Sequence, residues 1–320
     1  MEMTILRAGM QTTVQDLGRT GYRGIGVPHS GAMDPVALRL ANSLVGNAEN
    51  AAALEFTLVG PALEFSADAL IAVCGAECEG VSSWQPLHMT AGTKLDLGAC
   101  VRGCRGYVSV AGGIDVPLVL GSRSTYLRGG WGGFEGRALH DRDRLPVGVN
   151  EATRDLSEIF RSSWRIDPRI LPAYGSTVVI RAMRPSNASE WADPLFSSEF
   201  KVTPKFDRMG ITLSGPRLVP PAAENMISTA VGPGTVQVPP NGQPVVLMAD
   251  AQTIGGYPHG AHVICVDRPL LAQLRPGDTL RFQEVTIDEA HQLALSRDHA
   301  MAILREGLIE KIRGKRNGAS

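Results

Sequence analysis

The apolar run Val245-Val246-Leu247-Met248-Ala249 has the length and branching of a strand buried on both faces, and Gly255-Gly256-Tyr257-Pro258 force a turn soon after it. Between run and turn stand Asp250, Gln252 and Thr253, so a rigid strand end carries a carboxylate, an amide and a hydroxyl. Leu70-Ile71-Ala72-Val73 reads as another buried strand. Helical signals occur in few places. Asp34-Pro35, followed by Val36, Leu38, Leu40, Ala41, Leu44 and Val45 and closed by Gly46-Asn47, combines an N-cap, a proline at the first helical position and a C-terminal stop. Thr286 and Glu289 form a capping box ahead of Ala290, Leu293, Ala300, Ile303, Leu304 and Leu308. Lys311, Arg313, Lys315 and Arg316 then favour the C-terminal end of the macrodipole.

An internal echo organises the rest. Thr4-Ile5-Leu6-Arg7-Ala8 recurs as Val178-Val179-Ile180-Arg181-Ala182, and Thr57 to Leu63 recurs as Thr212 to Leu218. A third pair, Ala91 to Leu97 and Pro276 to Phe282, follows in the same order, each a turn leading into an alternating strand. The expected class is therefore mainly β with a few helices, in two related β lobes. They span residues 1–175 and 176–285, with a C-terminal helix and tail over 286–320 and a boundary in the stretch from Asp167 to Gly175.

Composition supports a turn-rich β protein, since 36 glycines and 21 prolines in 320 residues exceed the roughly 12% of average chains. The net charge of −1 supplies no field to attract nucleic acid or an anionic membrane, which points to small molecules or proteins as partners. The N-terminus lacks the basic and apolar segments of a signal peptide, and no apolar run approaches the roughly 20 residues of a membrane span, so the expected location is the cytoplasm. Five cysteines are an odd number, which disfavours a disulfide framework. Cys74-x3-Cys78 and Cys100-x3-Cys104 are spaced more loosely than zinc knuckles and read as buried thiols, so no metal is expected.

Several polar groups are placed where chemistry is possible. The segment from Gln11 to Asp34 contains five glycines but no lysine, unlike a phosphate loop. Within it Asp34 reads as a helix cap, while His29 and Ser30 stand just ahead of that helix, where backbone N–H groups favour a carboxylate or an oxyanion. A second glycine-rich piece, Leu127 to Arg137, could drape over a ligand with Arg128 pairing to an acid. Asp207 and Arg208 read either as site residues or as a local turn with an ion pair. Gln237, Gln243, Asp250, Gln252, Thr253 and Tyr257 crowd around a buried strand and form the strongest site signal. There is no Gly-x-Ser-x-Gly elbow, no His-Glu-x-x-His and no biotin-attachment sequence, so no covalently attached biotin is expected.

Taken together, Thr12 to Arg19, Gly26 to Asp34, Ala41 to Asn47, Gly121 to Thr125 and Gln252 to Pro258 closely resemble the biotin-dependent carboxyltransferase family. That family includes the C-type subunit of bacterial 5-oxoprolinase, also called the Kip antagonist or allophanate hydrolase subunit 2. The resemblance runs from about Thr4 to Phe282. It implies cyclophilin-like β-barrel lobes, two partner subunits, one B-type (Kip-inhibitor-like) and one A-type, and ATP used in the complex, not necessarily bound by this chain. It departs at Pro258-His259-Gly260-Ala261-His262, where relatives are expected to continue with apolar or lysine-containing sequence; His259 there could alter the rim of a site.

Members of this family act on inert amides, either opening the lactam 5-oxoproline to glutamate or moving carboxylate from biotin to urea. Resonance makes the amide carbon a poor electrophile and its nitrogen a poor nucleophile, so a catalyst must accommodate charge as it builds on oxygen or nitrogen. Arg19, Arg128 or Arg208 could stabilise oxygen charge or hold a carboxylate, and Gln237, Gln252 and Thr253 could orient the amide. Asp250 or Asp207 would take a proton, with His29, Ser30 and Tyr257 completing the set. The leading expectation is one subunit of an ATP-dependent 5-oxoprolinase, inactive without its partners. The lack of a biotin-bearing appendage in this sequence favours it over the urea carboxylase role. The alternatives are carboxyl transfer from biotin to urea or another amide, and a non-enzymatic role in antagonising a Kip-inhibitor-like inhibitor of a histidine kinase.

Overall fold

The computed structural model describes residues 1–149, 165–167, 170–186, 188, 190–220 and 227–313. Lys315 and Arg316, expected to complement the last helix, lie outside these residues, as does part of the expected boundary stretch. The chain divides into two compact units: Met1–Arg19 with Asp34–Pro172 and Ala300–Ser320, and Thr20–Met33 with Ala173–His299. Each has its own apolar core.

In the first unit, nine strands among the described residues form two antiparallel sheets. Strands β1 (Glu2–Arg7), β4 (Ala62–Phe65), β7 (Lys94–Asp96) and β9 (Arg144–Pro146) form one, in the order β7-β4-β1-β9. The other runs β2 (Thr12–Gln15), β3 (Ala53–Thr57), β8 (Cys100–Val110), β5 (Ala69–Cys78), β6 (Pro86–Met89). Alternation fills the space with Met3, Ile5, Phe56, Leu63, Ile71, Val73 and Val108, each worth about 1.5–3 kcal/mol when fully buried. The run Leu70 to Val73 lies inside β5, buried on both faces as its composition predicts. Helix α1 (Pro35–Leu44) starts as expected: the Ala37 amide donates to Asp34 Oδ1 at 3.0 Å, Pro35 occupies the first turn, and the predicted apolar positions are buried.

The second unit is built on a closed barrel. Its strands are β10 (Thr177–Met183), β11 (Glu199–Phe206), β12 (Gly210–Ser214), β14 (Thr235–Gln237), β15 (Val245–Leu247), β17 (His259–Val263) and β18 (Thr279–Glu284), ordered β10-β17-β14-β15-β12-β11-β18. The ring closes through a parallel pairing of its first and last strands, from Thr177 opposite Thr279 to Ala182 opposite Glu284. Ile180, Phe200, Ile211, Leu213, Val236, Val246, Ala261, Leu280 and Phe282 pack the interior, with Phe200 and Phe282 edge to face at 6.3 Å. Short helices α2 (Asp193–Ser197) and α3 (Arg268–Ala272) belong to this unit, and a two-stranded ribbon pairs β13 (Thr229–Ala230) with β16 (Ile254–Gly255). The long α4 (Ile287–Arg313) opens on the predicted capping box: the Thr286 amide donates to Glu289 Oε2 at 2.7 Å and the Glu289 amide to Thr286 Oγ1 at 3.2 Å.

The chain is thus mainly β with four helices among the described residues. The first and third sequence echoes fall on strands in both units, on β1 and β10 and on β7 and β18. All five cysteines are free, and four of them are buried. No helix among the described residues is long and apolar enough to cross a membrane, and no group of three His, Cys, Asp or Glu there is arranged to hold a metal.

Candidate functional site

Strand parity decides which polar groups of the barrel leave its interior. Val236 and Val238 point into the core, so Thr235 and Gln237 between and before them point outward; on β15, Val246 is the inward residue and Leu247 the outward one. The ribbon of β13 and β16 lies in this second unit and is tied to the strand end by the Val231 amide, which donates to the Thr253 carbonyl at 3.0 Å. Val231, Leu247 and Ala251 form a small apolar cluster of their own. Gln252 Nε2 reaches Gln237 Oε1 at 3.3 Å, so two of the amides singled out in the sequence meet. Gln237 is buried, yet its Nε2 has no hydrogen-bond partner among the described residues. An unpaired buried amide costs about 1–3 kcal/mol and marks a place where a ligand carbonyl would be welcome. Gly255 makes the space, because a Cβ there would collide with that same Nε2.

Gln252 also opens onto a groove of about 480 Å³ lined by Lys205, Asp207, Met209, Thr212 and Leu247. Asp207 is exposed, and its Oδ1 accepts from the amides of Met209 (2.7 Å) and Gly210 (3.0 Å), turning the chain from β11 into β12. The local turn is therefore present. The ion pair, however, is not Asp207 with Arg208: the next residue points the other way and Arg208 pairs with Asp250, Nε to Oδ2 at 2.9 Å and Nη2 to Oδ1 at 3.0 Å, both side chains at most 4% exposed. Nη2 also donates to the Gly31 carbonyl at 2.7 Å, while the Ser30 amide donates to the Ala249 carbonyl at 3.1 Å. These bonds hold Ser30 at a φ of 54°, a left-handed conformation that costs a non-glycine residue about 1–3 kcal/mol. Its Oγ is buried and has no hydrogen-bond partner among the described residues. His29 is partly exposed, with Nδ1 3.1 Å from the Ser30 carbonyl.

Of the remaining candidates, Thr253 is buried beside Gln252, while Tyr257 is 45% exposed. Gln243 bridges Gly215 through both ends of its amide. Arg19 and Arg128 belong to the first unit. Arg19 is buried there, 4.4 Å over the Trp131 ring and bonded to the Ser124 carbonyl; Arg128 is exposed. The glycine-rich piece around them folds tightly: Tyr126 bridges Trp131, and Trp131 to Gly136 line one side of an apolar cavity of about 370 Å³.

Two constellations escaped the sequence reading. Buried Asp16 accepts from the hydroxyls of Ser122 (2.7 Å) and Ser124 and from the amides of Gly18 (2.8 Å) and Arg123 (2.6 Å), knitting two of the motifs quoted above into one node. Their shared run of small hydroxyl residues was the available signal. In the second unit, Arg23, Arg268, His259, His262 and Thr235 surround a recess of about 280 Å³. Burial, followed by the charges of Arg268, His259 and Arg23, pulls His262 down to about 4, and burial also lowers His259.

That depression has a measurable sign. The unfolded chain protonates His262 near its ordinary value of about 6.5, whereas the folded chain holds it neutral down to about 4. Stability is therefore full above about pH 6.5 and falls by about 2–3 kcal/mol as pH drops to about 4. Urea unfolding of His262→Gln between those pH values is expected to show a much shallower acid loss, with His259 and the capping-box Glu289 accounting for what is left. An unchanged slope would remove His262 as its source.

Residues 25–284 match the family model described as carboxyltransferase domain, subdomain A and B. The chain is 43% identical over 298 residues to the C-type subunit of 5-oxoprolinase from Escherichia coli K12, covering 90% of this chain and 93% of that protein. It is 38% identical to the corresponding 5-oxoprolinase subunit of Haemophilus influenzae, covering 96% and 99%. The crystal structure of Kluyveromyces lactis urea carboxylase superimposes with a TM-score of 0.85 at 32% identity over 96% of this chain, which spans only 29% of that larger protein. The chain is accordingly a member of the carboxyltransferase domain family, the family to which the C-type subunits of 5-oxoprolinase belong.

Proposed function

We propose that this chain is the C-type subunit of a 5-oxoprolinase, opening the lactam 5-oxoproline to glutamate with partner A-type and B-type subunits in the cytoplasm, at the expense of ATP. The observation that carries the reading is the near end-to-end match to two proteins of that name, at 43% and 38% identity. Urea carboxylase is matched at 32% and over only 29% of its length, which favours carboxyl transfer less.

The chemistry fits the edge of the groove, where Gln252 links its lining to the buried Gln237. A lactam presents a carbonyl acceptor and an N–H donor on one edge, and the Gln237–Gln252 pair offers a donor, the unpaired Gln237 Nε2, beside further amide groups. Of the two candidate carboxylates, Asp250 has both oxygens on Arg208 and acts in positioning, whereas Asp207 is exposed on the groove. Asp207 would accept a proton from the attacking water as the new C–O bond forms. That proton then passes to the ring nitrogen as the C–N bond breaks, and the second proton of the water leaves the new carboxyl group for the freed amine, giving a carboxylate and an ammonium group. ATP cleavage in the assembled complex supplies the driving force, and the chain alone is inactive in this reading.

The test is to co-purify the chain with its A-type and B-type partners and assay 5-oxoproline and urea side by side. ADP release that depends on 5-oxoproline and on all three chains is expected, insensitive to avidin. Label from bicarbonate entering a urea-derived product, blocked by avidin, would overturn it in favour of carboxyl transfer.

A further inference from the structure

The recess beside Thr235 combines features that a purely structural pocket would not need. Arg23 comes from a 3-10 turn, Arg23–Ile25, and reaches across to donate from Nη2 to the Val231 carbonyl; the absence of a side chain at Gly232 admits the guanidinium. Arg268 is the first residue of α3, and its Nε is buried without a hydrogen-bond partner. His259 Nε2 is buried and unpartnered in the same way. His262 is placed by Thr235, whose Oγ1 lies 3.4 Å from its Nδ1.

No carboxylate lines the recess, and among the described residues neither Arg23 nor Arg268 forms an ion pair. The acid next to Arg268 in sequence, Asp267, is committed elsewhere: Arg181 takes both its oxygens, at 2.5 and 2.9 Å. Two guanidinium groups thus share the recess with two uncharged imidazoles and no carboxylate, and the buried Arg268, its Nε unpaired, is left there without a counter-charge, which desolvation makes costly unless something anionic joins it. The forked donors of arginine match the spread oxygens of a carboxylate or phosphate.

We propose that the recess formed by Arg23, Arg268, His259, His262 and Thr235 binds the oxyanion group, carboxylate or phosphate, of a small molecule. The site goes beyond the oxoprolinase reading and does not depend on it, because it concerns charge recognition and not lactam chemistry. Burial, and after it the neighbouring positive charges, keeps His262 neutral; a bound anion would offset those charges, so binding draws a proton towards that ring.

The experiment is an NMR titration of the histidine ring protons of the full chain in zwitterionic buffer, with L-5-oxoproline in one arm and inorganic phosphate in the other. One of the two is expected to saturate and to move the titration of His262 from about 4 towards neutrality. Arg268→Gln and Arg23→Gln should each weaken that binding about tenfold or more. Saturation by 5-oxoproline identifies a carboxylate as the occupant, and saturation by phosphate alone identifies a phosphate. Either result leaves the site standing whatever becomes of the lactam reading. Failure of both probes, or binding that neither variant alters, overturns it. Should Arg268→Gln fail to fold, the exposed Arg23 still decides.

Discussion

Arg208→Met is expected to lower the unfolding free energy by about 3–5 kcal/mol, the usual result of leaving one member of a buried ion pair behind. Asp250 would keep a charge at 2% exposure with no guanidinium across from it, and the Gly31 carbonyl would lose its donor. The second loss matters for the site, because that bond and the Ser30 amide bond to Ala249 are what hold Ser30 at a φ of 54°. Denaturant melts should show the full deficit in Arg208→Met and in Asp250→Leu, and recovery of most of it in the double variant Arg208→Met, Asp250→Leu, where no buried charge is left. The double variant is nevertheless expected to lose much of the activity of the assembled enzyme, since the Ser30 turn keeps only one of the two bonds that tie it down. Equal deficits in the single and double variants would show that the pair is not coupled.

Gly255→Ala is expected to reduce kcat/KM of the assembled enzyme about 100-fold, the loss typical of a polar group displaced by about 1 Å. The new methyl group would occupy the space of Gln237 Nε2, and because that atom is the far end of a flexible side chain it can move aside without disturbing the barrel. Tm should therefore stay within a few degrees of the parent. Gln237→Ala should lose a similar factor, and combining the two should cost little more than either alone. Additive losses, or a large fall in Tm, would mean that Gly255 acts on the fold and not through the amide.

Much of this architecture is readable from local chemistry. The Asp34 cap and the Thr286–Glu289 box depend only on residues three apart, and the apolar run Val245 to Ala249 marks a strand there, although the strand ends at Leu247 and Val245 is only half-buried. The Gln237–Gln252 contact is also legible, since both residues flank that strand. The Arg208 partner is not. Sequence adjacency suggests Asp207, but consecutive residues at a strand end point to opposite sides, and the carboxylate that meets Arg208 lies 42 residues away. The basic recess is hidden for a related reason. Simple alternation along β17 groups His259 with the core residues Ala261 and Val263. A register shift, which pairs Gln237 with His259 but Val236 with Ala261, moves His259 to the outer side with His262. Gly260 hints at a bulge, but nothing in the sequence announces that Arg23 and Arg268 will meet.

The parallel seam between β10 and β18 has a consequence for biosynthesis. Thr177 cannot find Thr279 until about a hundred further residues have left the ribosome, so the ring stays open through most of translation of this half. Until then β10 and β11 each expose an unpaired border, the kind of surface on which nascent chains stick to one another, and holding factors would be needed most in that interval. Truncation before residue 279 should therefore yield insoluble protein and not a shortened soluble one.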